Sequence, residues 1–390
     1  MNCYGGMIMK RVCALLTAAV MTVFCSADVS AAAAKPAEKD ISAKAAVLIE
    51  ASTGTVIWGK CEKQKLPMAS TTKIMSTILT LESGDLDSEF VVDSGAVKTE
   101  GSSMGLREGD IVSKRDLCIG MLLPSGNDAA NCAAVKVGGS MEGFADMMNA
   151  KAAKLGMTST HFVTPSGLHD DNHYSTAADM ALLTSYALKN PDFREICSSK
   201  TMKLQFGDPP FDRWLTNTNK LLSKYEGCIG VKTGFTDEAG RCLVSAAEKN
   251  GVTLICVTLN APDDWNDHAK LLDYGFSIAE SVNIGSKSYS CTAEGGDRNS
   301  ITLVTQRDII LPKINGKTAD VTFTAAVPQR IYAPVSEGES LGLLTVKSGG
   351  RIIDEIPLIS SESLLQKGGE SYEPPLISRA VDHLKELLFK

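Results

Sequence analysis

The order of strand-forming and helix-forming segments constrains this chain more than any single motif. "AAVLIEASTGTVIWGK", from Ala45 to Lys60, carries two β-rich runs around a Ser-Thr-Gly turn and reads as a hairpin. Segments with apolar residues at i, i+3 or i+4 follow at Ser70–Leu81, Lys114–Leu123, Asn127–Val137, Met141–Lys154 and Thr176–Lys189, which predicts a helical block. Strand-like runs return only afterwards, at "CIGVKT", "RCLVSAAEKN" and "VTLICVTLNA". A hairpin at one end and strands at the other bury their apolar faces best together, so the order predicts one sheet built from distant strands and flanked by helices.

Near Asn283 the pattern changes. "SITLVTQRDIILP", "ADVTFTAAV" and "SLGLLTVKSGGRIIDEIPLI" alternate with few helical signals, and the last holds a hairpin turning at Ser348-Gly349-Gly350. This predicts a second, β-rich domain over 283–372, after a first domain over 32–282. Beyond it, 373–390 reads as a linker and a short amphipathic helix, with Ile377, Ala380, Val381, Leu384, Leu387 and Leu388 on one face. At the other end, Lys10 and Arg11 precede the apolar "VCALLTAAVMTVF" and the small-residue run "SADVSAAAA". That is the form of a cleavable export signal over 1–31, too short in its apolar core for a comfortable membrane span. The protein is therefore expected outside the cytoplasm.

A formal net charge of -7 and the absence of any Lys or Arg run argue against nucleic acid as a partner. Of the 11 cysteines, Cys3, Cys13 and Cys25 fall in the export signal, and the rest form no C-x-x-C pair. Cys118, Cys132, Cys242 and Cys256 lie among apolar neighbours and are expected as small buried thiols rather than disulfide partners.

The chemistry begins in "PMASTTKIMSTILTLE", from Pro67 to Glu82. Ser70 and Lys73 stand three apart at the start of an apolar helix, so amine and hydroxyl share one helical face. A lysine at such a place is desolvated, and a second cation nearby lowers its pKa further, which makes a neutral amine able to accept the serine proton. Lys232 is the candidate neighbour. Ser70-Thr71-Thr72-Lys73, Ser125-Gly126-Asn127 and Lys232-Thr233-Gly234 are weak signals singly and a strong one in this order behind an export signal.

With "GSSMGLREGD", "LLPSGNDAAN", "LGMTSTHF", "HYSTAADMALL", "NTNKLL", "GVKTGFTDEAGRCLVSAA" and "LLDYGF", these motifs resemble those of the low-molecular-weight penicillin-binding proteins. These are serine D-alanyl-D-alanine carboxypeptidases related to the serine β-lactamases. The resemblance implies an α/β fold, a β-lactamase/transpeptidase-like domain with an antiparallel sheet flanked by helices, followed by a smaller β-sandwich-like domain. It implies Ser70 as acylated nucleophile, Lys73 as general base and Ser125 as proton relay. Asn127 would hold the substrate peptide, and Lys232 and Thr233 its terminal carboxylate, with Gly234 allowing close approach. The backbone N–H groups of Ser70 and Phe235 would form the oxyanion hole. Peptidoglycan stem peptides and β-lactam antibiotics are the implied partners, with membrane contact through the C-terminal helix and no metal or cofactor.

Two departures stand out. Phe235 replaces the His of some relatives, and "APDDWNDHAKLLDYG" lacks the Arg that some carry there, leaving a second carboxylate anchor open. A β-lactamase is disfavoured because no Glu lies between Glu142 and Glu195 to activate a deacylating water, and Asp170 and Asp171 read as a polar loop. His169 and His173 in "HDDNH" lack the H-E-x-x-H pattern of zinc peptidases. A D,D-endopeptidase or an inactive wall-binding protein remain the alternatives.

Overall fold

The computed structural model describes residues 33–207 and 209–367. The expected export signal and the expected C-terminal helix lie outside the described residues. No helix among the described residues is long and apolar enough to cross a membrane.

The predicted sheet forms from both ends of the first domain. Ala45–Glu50 is an interior strand, with Val56–Lys60 on one side and Val252–Leu259, Gly240–Lys249 and Cys228–Thr236 following in order on the other, all antiparallel. The first strand is buried at every position, and its period of two divides it between two cores. Ala45, Val47 and Ile49 face the helical block, while Ala46 and Leu48 face the helix Asp264–Ile278. A strand covered on both faces has no polar side to alternate with, which is why "AAVLI" is a continuous apolar run. The covering helix lies very close: a Cβ on Gly275 would stand 2.6 Å from Leu254 Cδ1 and 2.7 Å from Leu48 Cδ2. His268, fully buried in that helix, bridges the hydroxyls of Ser245 and Thr258 on two neighbouring strands.

The helical block packs on the opposite face. Helices Lys73–Glu82, Lys114–Leu122, Asn127–Gly138, Met141–Leu155 and Ala177–Ala187 match the predicted segments within a few residues at each end. Ser113 and Thr176 cap two of them by accepting from the amides of Asp116 and Asp179. A further helix, Pro191–Ser198, was not legible in the apolar spacing. Its signal is the cap Asn190 followed by Pro191 at the first helical position. The hairpin Thr201–Phe206/Phe211–Thr216 is a further element outside the predicted segments; its first strand alternates, with Leu204 and Phe206 buried, while its second is mostly exposed.

The β-rich part has its own core, centred on Ile301, Leu303, Leu344, Val346, Ile356 and Leu358. A six-stranded sheet and a three-stranded sheet enclose it, and the latter begins with Ala279–Asn283, paired to Ile310–Ile314. The hairpin of Ser340–Ser348 and Arg351–Ser360 turns on Gly349-Gly350, both at positive φ (54° and 83°), as a tight two-residue turn requires. Arg351 at this turn bonds Ser185 Oγ, and Ile352 accepts from Lys189 Nζ, so the hairpin tip docks on the helical block.

Candidate active site

Ser70 sits in a single 3-10 turn, Ala69–Thr72, which runs directly into the helix begun by Lys73. Ala69 adopts the left-handed region (φ 48°), and Ile74, Met75 and Ile78 anchor the next turns in the core. Lys73 is drawn in with them and is wholly inaccessible to solvent. Its Nζ lies 2.9 Å from Ser70 Oγ, 2.7 Å from Asn127 Oδ1 and 2.7 Å from the Ser166 carbonyl. The last two groups can only accept. A neutral amine has two hydrogens and one lone pair, so these acceptors take both hydrogens and the lone pair is left facing the serine hydroxyl. Burial lowers the Lys73 pKa well below its ordinary value, and the charge of Lys232 lowers it further, against a smaller opposing pull from Asp128. The apolar spacing after Lys73 thus marks a buried amine rather than a solvated first-turn residue.

Lys232, Thr233, Gly234 and Phe235 belong to Cys228–Thr236, the strand at the sheet's edge, whose outer side pairs with no other strand among the described residues. Gly234 lies against the Ser70 turn: a Cβ there would be 3.0 Å from the Met68 carbonyl and 3.1 Å from the Ser70 amide nitrogen. Only a residue without a side chain brings the strand edge and the Ser70 amide together in this way. Lys232 is buried, its Nζ donating to the Thr233 carbonyl at 2.9 Å, and burial lowers its pKa to about 7. Thr233 Oγ1 bonds Thr218 Oγ1 at 2.7 Å. Phe235, 61% exposed, also lines the cleft.

Ser125, buried and at φ 67°, stands between two helices. It lines the same cavity as Ser70, Asn127, Thr233, Gly234 and Phe235, a cleft of about 570 Å³. None of the three Lys73 bonds goes to Ser125. Asn127 has a partner at each end of its amide. Its Oδ1 accepts from Lys73 and its Nδ2 donates to the Glu100 carbonyl, so both ends of the amide are engaged within the protein. Holding Lys73 is therefore a task of Asn127 that its position in the motif did not reveal.

Other residues of the site escaped the sequence reading. Asp128 is buried and accepts from the amides of Met104, Gly105 and Leu106 and from Ser103 Oγ, fixing the loop whose neighbours Gly101 and Ser102 wall the cleft. Arg241 also lines the cleft, opposite Phe235 in the strand register. Its Nη2 reaches both oxygens of Asp264 (2.8 and 2.9 Å), and its guanidinium lies 5.5 Å from the Trp265 ring centre. A guanidinium is thus present although "APDDWNDHAKLLDYG" has none, because the strand supplies it. His169 Nε2 lies 3.4 Å from Asp171, whereas His173 is buried with both ring nitrogens bonded inside the protein. Among the described residues no three His, Cys, Asp or Glu side chains are grouped to hold a metal ion.

The fold is that of the D,D-peptidases. Residues 30–263 match the D-alanyl-D-alanine carboxypeptidase family, and residues 280–365 match the penicillin-binding protein 5 C-terminal domain. The D-alanyl-D-alanine carboxypeptidase DacF of Bacillus subtilis is 33% identical, over 92% of this chain and 96% of its own. DacC of Escherichia coli is 32% identical over 84% and 86%. Among solved structures, the D-alanyl-D-alanine carboxypeptidase DacD of Francisella tularensis superposes with a TM-score of 0.60 at 26% identity, over 85% of this chain and 96% of that one. The Streptomyces K15 DD-transpeptidase superposes with a TM-score of 0.59 at 33% identity, over 63% and 99%. This chain belongs to the D-alanyl-D-alanine carboxypeptidase family.

Proposed function

We propose that this protein is a serine-type D-alanyl-D-alanine carboxypeptidase that removes the terminal D-alanine from peptidoglycan stem pentapeptides, outside the cytoplasm, and is acylated by penicillins. The observation that carries this reading is the buried Lys73 amine 2.9 Å from Ser70 Oγ, its hydrogens taken by two obligate acceptors. In that arrangement Ser70 attacks the scissile carbonyl as Lys73 takes its proton, with no cofactor in any step. The developing oxyanion would lie between the amides of Ser70 and Phe235, each worth on the order of 3 kcal/mol. Ser125 would pass a proton to the departing D-alanine nitrogen, and water would then cleave the Ser70 ester. Incubation with a pentapeptide muropeptide and with a cross-linked dimer, followed by product masses, tests this. Loss of D-alanine from the pentapeptide supports it; cleavage of the dimer alone would favour an endopeptidase.

Lys232 and Thr233 would hold the substrate carboxylate, the ammonium acting as a point charge. The expected result for Lys232→Ala is a fall in kcat/KM on D-Ala-D-Ala peptides of about 1.5–3 kcal/mol, roughly 10- to 150-fold, with far less effect on analogues whose terminal carboxylate is amidated. Because burial lowers the Lys232 pKa to about 7, its charge is present below that pH and lost above it. KM for the free-carboxylate peptide should therefore rise with pH above neutrality, and KM for the amidated analogue should stay flat. Equal losses on both substrates would show that Lys232 acts only through Lys73.

The sequence pattern of an export signal over 1–31 and of an amphipathic segment over 376–390 completes the reading. The apolar positions expected to share a face in 376–390, with Arg379, Lys385 and Lys390 among them, suit the outer surface of an anionic membrane. Full-length mature protein should sediment with anionic vesicles and a chain lacking 376–390 should not, with turnover of a soluble pentapeptide the same. Failure of the full chain to sediment would contradict membrane contact.

A further inference from the structure

We propose that His173 is a positioning residue for acylation: one imidazole fixes both the Ser70 turn and the loop that holds the Lys73 amine. This rests on the serine mechanism proposed above. The ring is 3% exposed and packs edge-on against Phe162. Its Nδ1 receives two backbone amides, Val163 N at 2.9 Å and Thr164 N at 3.2 Å. A nitrogen facing two N–H donors must present its lone pair, so the proton sits on Nε2. Nε2–H then donates to Thr72 Oγ1 at 2.8 Å, and the Thr72 hydroxyl donates onward to the Ala69 carbonyl at 2.8 Å. Every donor in the chain has one acceptor, and its direction is determined.

The two sides of the ring lead to the two sides of the reaction. On the Nε2 side, Ala69 is the left-handed residue immediately before Ser70, so the Thr72 bond stabilises the backbone conformation that presents the nucleophile. On the Nδ1 side, Thr164 begins the loop closed by Gly167 N donating to Thr164 Oγ1, and within that loop the Ser166 carbonyl receives the Lys73 amine. The loop and the turn touch directly: a Cβ on Gly167 would stand 2.0 Å from the Ala69 carbonyl oxygen. His173 thus sets the spacing between Ser70 Oγ and the acceptor that orients its base, without touching either. Burial lowers its pKa to about 4, which keeps the neutral tautomer in place at ordinary pH.

The test measures acylation by a fluorescent penicillin under saturation, which separates the acylation step from initial binding. His173→Ala should slow the acylation step on the order of 100-fold, as expected for misplaced reacting groups, with binding almost unchanged. Thr72→Val, which leaves the ring in place, should give a similar loss, and the double variant should lose no more than the larger single loss. His173→Gln should recover most of the rate, because its Oε1 and Nε2 reproduce the acceptor and donor. A folded His173→Ala or Thr72→Val acylated at the wild-type rate would overturn the proposal, as would losses that add fully in the double variant. So would a His173→Gln no faster than His173→Ala. If the wild-type protein itself takes no label, the serine mechanism falls, and this proposal with it.

Discussion

Ser70→Ala should abolish D-alanine release while leaving the fold intact, a loss on the order of 10⁵- to 10⁶-fold in kcat, the range seen when the nucleophile of a serine hydrolase is removed. The size follows from the covalent step: one hydroxyl carries it, and the remaining binding and oxyanion groups supply only residual catalysis. The fold should persist, because the hydroxyl's partner in the structure is Lys73 Nζ, which keeps its bonds to Asn127 and Ser166. The check pairs turnover of a pentapeptide with thermal melting. Retained turnover in a folded variant would remove Ser70 from the mechanism.

Lys73→Met should cost roughly 10²- to 10⁴-fold in the acylation step, the usual contribution of a positioned general base, with little change in KM. Methionine is close in length and apolar, so it fills the same buried space. It leaves Asn127 Oδ1 and the Ser166 carbonyl without their donor, a cost of about 1–3 kcal/mol per group in stability. The pH profile separates the base from a merely structural role. In the wild type, acylation should fall with decreasing pH as the Lys73 amine takes up a proton, since the reaction needs its lone pair. In the variant that pH dependence should vanish along with the rate. A Lys73→Met variant that acylated slowly yet kept the wild-type pH profile would assign the proton transfer elsewhere.

The sheet and the buried amine were legible in the sequence because each depends on local pattern. Continuous apolar runs marked strands covered on both faces, and the apolar residues after Lys73 marked a helix that draws its first residue inward. What was not legible depends on contacts between distant segments. Arg241 and Asp264 meet only because a strand end and a helix start converge, and neither lies in a short motif. Asp128 follows the Ser125-Gly126-Asn127 motif, but its task, holding the amides of 104–106, appears only once that loop folds over it. "HDDNH" excludes a zinc-peptidase role for His173 but does not show its partners, which come from the Ser70 turn and the 163–164 backbone. The motif names Asn127 but says nothing of the direction of its bonds, so its hold on Lys73 appears only in the fold. The Thr201–Phe206 strand does alternate, with Met202, Leu204 and Phe206 turned inward, but its six residues lie directly after a helix and the alternation is too short to stand out.

The central claim is that Ser70, activated by the buried Lys73, forms a covalent acyl-enzyme. Mass spectrometry of the penicillin-treated mature protein, followed by peptide mapping, tests it most directly. One adduct per chain, on the peptide containing Ser70 and on that hydroxyl, is the predicted result. An adduct on another residue, or none under conditions where the protein remains folded, would contradict it.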